Sequence, residues 1–540
     1  MAQPISPLPG VKHGNRIPIS TLEYRAKNEP QSPWVSVPID EQDLSRGYRD
    51  ITYREVNNAA NHTAHWLARN LPHSSEPFQT FAYAGPKDLR YQLLAWAAAK
   101  LHKVLVLPSP LVTAQAQLRI LEKKHCTIYL RPASMADHVA GIIQRAPHVE
   151  TVEVPGIEEF FREDTAVDIP YTKTWGEGKD DPWLVYHTSG TTGDPKPVTY
   201  THHMMAGFDI AASLPGDDER LVHQVANMRW YTPLPSMHYV GMLLSVSMTT
   251  YFNMTAVIGP TSAPPTPDVI TDTIRYGNVD GALLPPALID ACCLSPSALA
   301  ALRGLQRVHY AGAPLAAKSA ELLLPYTKIV SGVGTTEAGG YFTTTHPHRD
   351  AWEYLVFPPY AGVAFEHRMD DFYELVFVRD EALVFQQIFL VYPDLDRFET
   401  KDLWREHPVH KGLWKIVGRT DDYVYLSHGD GLHASSLEPE ITAHPSVKSA
   451  VIGGHGRSAP VLLVELNPGA EYEDNHQALI ESLEPYMQRV NSRVHECVRL
   501  SAERVIVAKR EKPFVLTVKD SVARLQTLAL YEDEIAALFT

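Results

Sequence analysis

Thr188, Ser189, Gly190, Thr191, Thr192, Gly193 and Lys196 concentrate hydroxyls, glycines and a cation in one short stretch. That mixture suits a polyanion. Glycines let backbone N–H groups come close to phosphate oxygens, hydroxyls donate further hydrogen bonds, and a lysine supplies charge. The surrounding sequence, Leu184 to His202, reads LVYHTSGTTGDPKPVTYTH, and Leu184, Val185 and Tyr186 predict a buried strand leading into it. It is not a Walker loop, which must open a helix; Pro195 and Pro197 forbid that helix here. An isolated loop of this composition is usually a polar surface turn. The order TSGTTGxPK is far more specific than the composition alone.

Other segments carry groups suited to a nucleotide: PLPSMH with His238, HYAGAPL, GTTE with Thr336 and Glu337, TKD with Asp402, and GRTDD with Arg419 and Asp421. Near the end, KPFVLTVKDSVAR holds Lys512 and Lys519. In open α/β sheets ligands sit at the carboxyl ends of strands, so the elements that carry these segments decide whether they can meet.

Those elements alternate. Val56, Ala59, Ala60, Ala64 and Leu67 form one helical stripe. A strand from Thr80, a helix through Leu93 to Leu101 and a strand from Val104 make a βαβ unit, which implies a parallel sheet with helices on its faces. The pattern recurs with helices at 114–123 and 134–144, each followed by a short β-rich run. After the phosphate-type loop come a strand-like WYTPLP, a helix near 269–276, the strand GALLPP, and a helix capped by Ser295 with Pro296 in its first turn. HYAGAPL and IVSGVGTTEAGG each read as a strand followed by a turn of small residues. FYELVFV, FQQIFLVY, FETKDLW and LWKIVGRTDDYVYL read as strands. VKSAVIGG, VLLVEL, a helix over 476–490 and RVIVAK complete a small α+β unit. Residues 1 to about 45, rich in proline and polar groups, are expected to lie over the surface. The expected fold class is α/β: a large multi-subdomain N-terminal domain (1–418) with mostly parallel sheets flanked by helices, and a small mobile α+β C-terminal domain (419–540).

At 540 residues the chain exceeds one hydrophobic core. Its 44% hydrophobic and 21% charged residues are ordinary for a globular protein, and a net charge of −15 disfavours nucleic-acid or anionic-membrane partners. Cys126, Cys292, Cys293 and Cys497 lack metal-ligand spacing, and the adjacent pair is poorly placed to bridge, so reduced intracellular thiols are expected. With no apolar leader and no run near the about 18 apolar residues of a membrane helix, the cytoplasm is the expected location.

Taken in order, the phosphate-type loop, PLPSMH, AGAPL, GTTE, TKD, GRxDD and a C-terminal lysine resemble the adenylate-forming enzymes: acyl-CoA synthetases, luciferases and adenylation domains of nonribosomal peptide synthetases. The resemblance runs over roughly residues 50 to 535. FETKDLW, HPxxxGLW and GRTDDYVYLSHGDG resemble the fungal synthetase-like subgroup of carboxylic acid reductase type, which pairs adenylation with a carrier and a reductase or thioesterase. The resemblance implies ATP and Mg²⁺ as cofactors. Thr188 to Gly193 and Lys196 would embrace the β- and γ-phosphates. Gly312, Ala313 and Pro314 would line the adenine and acyl pockets. Thr336 would bond the α-phosphate and Glu337 would hold Mg²⁺, a hard cation suited to carboxylate and phosphate oxygens. Asp402 would accept both ribose hydroxyls, Arg419 would reach the ribose, and Asp421 would be the hinge. Lys519 would bridge the attacking carboxylate and the α-phosphate, with Lys512 as competitor; an arbitrary lysine is usually a solvated charge. His238 would face the acyl pocket together with Met237, Tyr239, Met242, Gly312 and Gly334; a lone histidine in an apolar turn is otherwise a satisfied core residue. His203 and His309 are read as structural.

Three departures stand out. Val333 replaces the family's aromatic residue over adenine, leaving apolar contact or a neighbour such as Tyr310 to hold the base. His428 to His433, HGDGLH, replaces a segment that carries a lysine. WYTPLPSMHYVGM lacks the aspartate that would pair with an α-ammonium, and a buried cation needs a partner, so α-amino acids are disfavoured. Aryl acids suit the subgroup, with Trp230, Tyr231, Met237, Tyr239 and Met242 as an apolar wall; the same aromatics could enclose a betaine-type acid by cation–π contact. No carrier signature follows Lys519, so the acceptor is expected to be the phosphopantetheine thiol of a carrier in a larger synthetase or in trans, with coenzyme A as the runner-up. A nucleotide-binding module that has lost catalysis is the alternative to an enzyme.

Overall fold

The βαβ alternation builds two sheets of one design, each parallel except at one edge. The computed structural model describes residues 13–74, 76–110, 112–188, 195–214, 220–369, 371–427, 430–472, 475–517 and 521–539. Its first strands are β1 (Pro33–Pro38), β2 (Tyr48–Thr52), β3 (Thr80–Tyr83), β4 (Val104–Val106), β5 (Ile128–Arg131), β6 (Glu150–Glu153) and β7 (Pro182–Thr188). They continue with β8 (Lys196–Thr201), β9 (Arg229–Tyr231), β10 (Thr255–Val257), β11 (Gly281–Leu284), β12 (Arg307–Ala311) and β13 (Lys328–Gly332). One sheet runs β6-β5-β3-β4-β7-β8 and the other β13-β12-β11-β9-β10-β1-β2. Only the β7–β8 and β1–β2 pairs of these sheets are antiparallel.

The chain divides into two compact units, Met1–Gly362 with Arg379–Asp396, and Val363–Val378 with Arg397–Thr540. Both parallel sheets belong to the first. Its helix Tyr53–Asn70 buries the expected stripe and opens with a capping box between Thr52 and Glu55. Helix Arg90–Lys100 is buried along its whole length; its apolar LLAWAAA run suits this, and its polar Arg90, Gln92 and Lys100 donate to Asp88, Ser236 and Glu23. Trp183 of β7 donates its indole N–H to the Ala95 carbonyl at 2.7 Å and anchors that helix.

Two expectations are overturned here. Residues before 45 do not merely cover the surface: Pro18–Asn28 is a helix with Ile19 and Leu22 buried, and β1 buries Trp34 and Val35. The polar residue Arg25 is buried too, because its guanidinium caps the Thr249 and Thr250 carbonyls at 3.0 and 3.1 Å. FQQIFLVY holds the helix Gln387–Val391 instead of a strand; a short apolar run does not distinguish the two by period alone.

In the second unit, strands Val363–Met369, Phe372–Val378, Arg397–Glu406 and Leu413–Arg419 pair consecutively and antiparallel. Three further strands, Val447–Gly453, Val461–Leu466 and Val505–Val507, form a sheet. Helices Ala434–Thr442 and His476–Asn491 share a core with that sheet, through Leu437, Ile441, Leu479 and Leu483 against Ile452 and Val464. Among the described residues no helix is long and apolar enough to cross a membrane.

Candidate active site

β7 and β8 form a hairpin in which Thr188 lies opposite Lys196. The phosphate-type loop therefore joins two sheet strands rather than a strand and a helix, as Pro195 and Pro197 require. Thr188 is half-buried and Lys196 exposed at the base of that hairpin; Ser189, Gly190, Thr191, Thr192 and Gly193 lie outside the described residues. Beneath it, His187 accepts the Ser109 backbone N–H through Nε2 at 3.0 Å. Burial holds the His187 imidazole below its usual range, keeping that nitrogen free of a proton.

β8 also reaches the Thr336–Glu337 turn. Gly334–Thr335 pairs with Gly339–Gly340, and a Cβ on Gly334 would lie 2.4 Å from the Gly339 carbonyl oxygen; only glycine permits this approach. Thr335 Oγ1 accepts the Ala338 N–H at 3.0 Å and closes the turn. The Tyr200 hydroxyl donates to the Thr336 carbonyl at 2.8 Å, and Gln387 Nε2 donates to the Glu337 carbonyl at 3.4 Å. Burial raises the Tyr200 phenol well above its usual range, so it remains a donor. Thr336 and Glu337 are half-buried on this scaffold. Tyr200 and Gln387 escaped the sequence reading; an alternating strand gave no signal for the first, and the second lay in the segment read as a strand.

The PLPSMH turn ends at His238, the N-cap of helix Tyr239–Met242. Gly241 is obligatory, since a Cβ there would lie 2.4 Å from the Pro235 carbonyl oxygen. Groups following β3 hold the turn: Lys87 Nζ donates to the Pro233 carbonyl at 2.5 Å and Gln92 Nε2 to Ser236 Oγ at 2.9 Å. Met237, Tyr239 and Met242 are buried in one cluster with Trp230, and Tyr239 packs on Tyr200 with ring centroids 5.0 Å apart. Tyr231 belongs elsewhere, in the cluster with Ile270, Ile289 and Tyr310. Tyr310 is itself 5% exposed and edge-on to Trp352, so it presents no open face to a base. Gly312, Ala313 and Pro314 are exposed just past β12, with Gly312 at φ +95° where a side chain would be strained. Val333 is half-buried and Gly334 exposed after β13. His309 is buried against Trp230, and His203 is half-buried beside Trp175.

In the second unit Asp402 lies directly across the ladder from Arg419, and Arg419 Nη1 donates to its Oδ1 at 2.9 Å. Asp402 is aimed by a bulge. Lys401 sits at φ +62°, Glu374 Oε1 accepts its N–H at 2.9 Å, and Thr400 Oγ1 accepts the Asp402 N–H at 3.1 Å. Glu374, 4% exposed, was hidden inside the apolar FYELVFV. Asp421 lies in the one-turn helix Thr420–Asp422, its side chain outside the described residues. Lys512 Nζ pairs with both Glu534 oxygens at 2.6 and 2.9 Å. Lys519 lies outside the described residues, as do His428 and Gly429; His433 donates through Nε2 to the Arg419 carbonyl, 3.0 Å away.

Residues 22–366 match the sequence family model described as AMP-binding enzyme, and residues 421–540 match its C-terminal domain. The chain belongs to the AMP-binding enzyme family. The resemblance to adenylate-forming enzymes is thereby borne out. A carboxylic acid reductase of Neurospora crassa is 29% identical over 98% of the chain and 51% of the relative. The adenylate-forming reductase Nps9 of Serpula lacrymans is 25% identical over 96% and 49%. The chain thus spans about half the length of these curated relatives. ATP-bound MatB from Rhodopseudomonas palustris has the same fold, with TM-score 0.71, 17% identity and coverage of 96% and 99%. So does the anthranilate CoA ligase AuaEII in complex with anthranoyl-AMP, with TM-score 0.71, 15% identity and coverage of 95% and 97%.

Proposed function

We propose that this adenylate-forming enzyme activates a carboxylic acid, an aryl acid by preference, as an acyl-adenylate and passes the acyl group to the phosphopantetheine thiol of a carrier domain. The observation that carries the reading is the Tyr200–Thr336 hydrogen bond, which joins the strand beginning at Lys196 to the turn bearing Glu337. One scaffold then serves both the terminal phosphates and the reacting phosphate. The acid's carboxylate attacks the α-phosphorus of ATP and pyrophosphate leaves. Charge gathers on phosphate oxygens in that step, so fixed donors and cations do most of the work. Thr188 to Gly193 and Lys196 hold the β- and γ-phosphates, Thr336 donates to the α-phosphate, and Asp402 takes the ribose hydroxyls with Arg419 beside it. Gly312, Ala313, Pro314 and Val333 border the base, and His238 with Met237, Tyr239, Met242 and Gly334 border the acyl group. Lys519 bridges the carboxylate and the α-phosphate, and Lys512, tied to Glu534, is the weaker candidate.

Glu337 fits Mg²⁺. Among the described residues no group of three or more His, Cys, Asp or Glu gathers. A single carboxylate therefore suits an ion held mainly by phosphate oxygens and water. When bound, Mg²⁺ neutralises charge on the phosphates. We place the domain boundary at 419, so that the part from 419 to 540 turns about Asp421 after adenylation, withdraws Lys519 and admits the thiol.

Acid-dependent ATP–pyrophosphate exchange over benzoates, phenylpropanoids, betaines and amino acids tests the reading, and an aryl acid should give the fastest exchange. No exchange with any acid would leave only nucleotide binding. Loading assays then compare a phosphopantetheinylated carrier with coenzyme A; transfer to coenzyme A alone would reject the carrier.

A further inference from the structure

A chain of charged contacts in the second unit runs from Asp402 past the proposed hinge to the root of the Lys519 segment. Arg419 links to Asp402 through its guanidinium, and its backbone N–H donates to Asp422 Oδ2 at 3.2 Å. Asp422 Oδ1 accepts Arg524 Nε at 3.1 Å. Arg524 Nη1 donates to Glu438 Oε1 at 2.7 Å and to the Ile452 carbonyl at 3.1 Å, while Nη2 bonds Glu438 Oε2. Glu438 Oε1 also accepts the Ile452 N–H at 2.6 Å. The Arg524 side chain is 13% exposed and that of Glu438 12%.

The residues just before Arg524 are tied down as well. Ala523 N–H donates to the Val515 carbonyl and Thr517 N–H to the Ser521 carbonyl, each at 2.7 Å, and Leu516 bridges Val522. The arms 515–517 and 521–523 are therefore pinned to each other, and the second runs straight into Arg524.

We infer that Arg524 is a positioning residue for adenylation: it clamps the root of the Lys519 segment to Asp422, beside the hinge, and to Glu438. Rotation about Asp421 then carries the arms 515–517 and 521–523, which flank Lys519 in sequence, along with it. The inference rests on the adenylation reading given above. Arginine suits the task because its planar fork holds two carboxylates and a carbonyl in fixed directions, where a lysine is one mobile point charge. The stakes are high, since a misplacement of about 1 Å in a reacting group can cost about a hundredfold in rate.

The test is ATP–pyrophosphate exchange with the benzoate or phenylpropanoid that the wild-type chain turns over fastest. Arg524→Met should lower kcat at least about tenfold with KM for ATP little changed, and Arg524→Lys should restore part of the loss. Because Arg524→Met strands buried carboxylates, the double variant R524M/E438Q is made beside it. Melting temperature should recover in the double variant while kcat stays low; recovery of both together would make Arg524 a structural staple and overturn the inference. In a Lys519→Ala background, Arg524→Met should cost nothing further, whereas an additive loss would also overturn it. Wild-type kcat in Arg524→Met with Lys519→Ala inactive sinks this inference alone. Full exchange in Lys519→Ala, or no exchange by the wild type with any acid, removes the reading beneath it as well.

Discussion

The Tyr200 hydroxyl and the Thr336 carbonyl are joined by a 2.8 Å hydrogen bond across 136 positions of sequence. Tyr200 alternates inward on β8, four residues after Lys196, and Thr336 leads directly into Glu337. The bond fixes the spacing between the strand that leaves the phosphate-type loop and the turn with the acidic residue. Tyr186 and Tyr239 pack on the Tyr200 ring with centroids 4.9 and 5.0 Å away, so the phenol has little room to turn.

Replacing Tyr200 with Phe keeps this packing and removes only the hydroxyl. The Thr336 carbonyl then loses its buried donor, at a cost of about 1–3 kcal/mol in unfolding free energy. Exchange should fall about tenfold, in line with that loss. Denaturant melts and exchange assays on the same preparation check both figures, and a variant unchanged in either would deny Tyr200 its role.

Lys519→Ala and Lys512→Ala should separate cleanly. Removing a cation that meets developing charge costs on the order of 10² to 10³ in kcat, with ATP binding by calorimetry retained. Lys512 is engaged with Glu534 at 2.6 Å, a partly exposed pair worth roughly 0–1 kcal/mol. Its alanine variant should keep exchange near the wild-type rate. Reversed results would move the catalytic assignment to Lys512.

Glu374→Gln tests the bulge beneath Asp402. Lys401 holds a left-handed backbone at φ +62°, which costs about 1–2 kcal/mol for a residue with a side chain. The Glu374 carboxylate offsets this by accepting the Lys401 N–H and pairing with Arg368 at 2.7 Å. A relaxed bulge should raise KM for ATP about fivefold while kcat changes little, because the ribose contact is made in ground and transition states alike. An unchanged KM would detach Glu374 from nucleotide binding.

Stability should fall as pH drops below about 6.5. Burial, followed by the Arg307 and Lys328 charges, lowers His309 to about 3; burial, followed by His102 and Lys173, lowers His202 to about 3. Between those values the unfolded chain binds protons that the folded chain refuses, so stability is present above 6.5 and is lost toward pH 3. Each histidine contributes about 1.4 kcal/mol per pH unit within that window. His309→Leu should flatten the slope measured by denaturant melts between pH 6.5 and 5 by about one histidine's share. An unaltered slope would mean that His309 does not titrate on unfolding.

The sequence by itself determined whatever is local. The Val56 to Leu67 stripe, the βαβ spacing and the proline block after the phosphate-type loop depend on period and backbone chemistry within a few residues, and each is realised. The order of short segments was enough to recognise the family, because those segments carry their own turn chemistry. Only the tertiary structure decided which side chains meet. It set Tyr200 beneath Thr336, sent Tyr231 and Tyr310 to a core apart from Trp230, and joined Asp422, Glu438 and Arg524. Such contacts follow from strand order, register and the face each strand presents, and these are fixed by packing among segments far apart in the chain. A buried Glu374 or Arg25 looks from the sequence like any other charge; its partners, and so its meaning, exist only once the chain has folded.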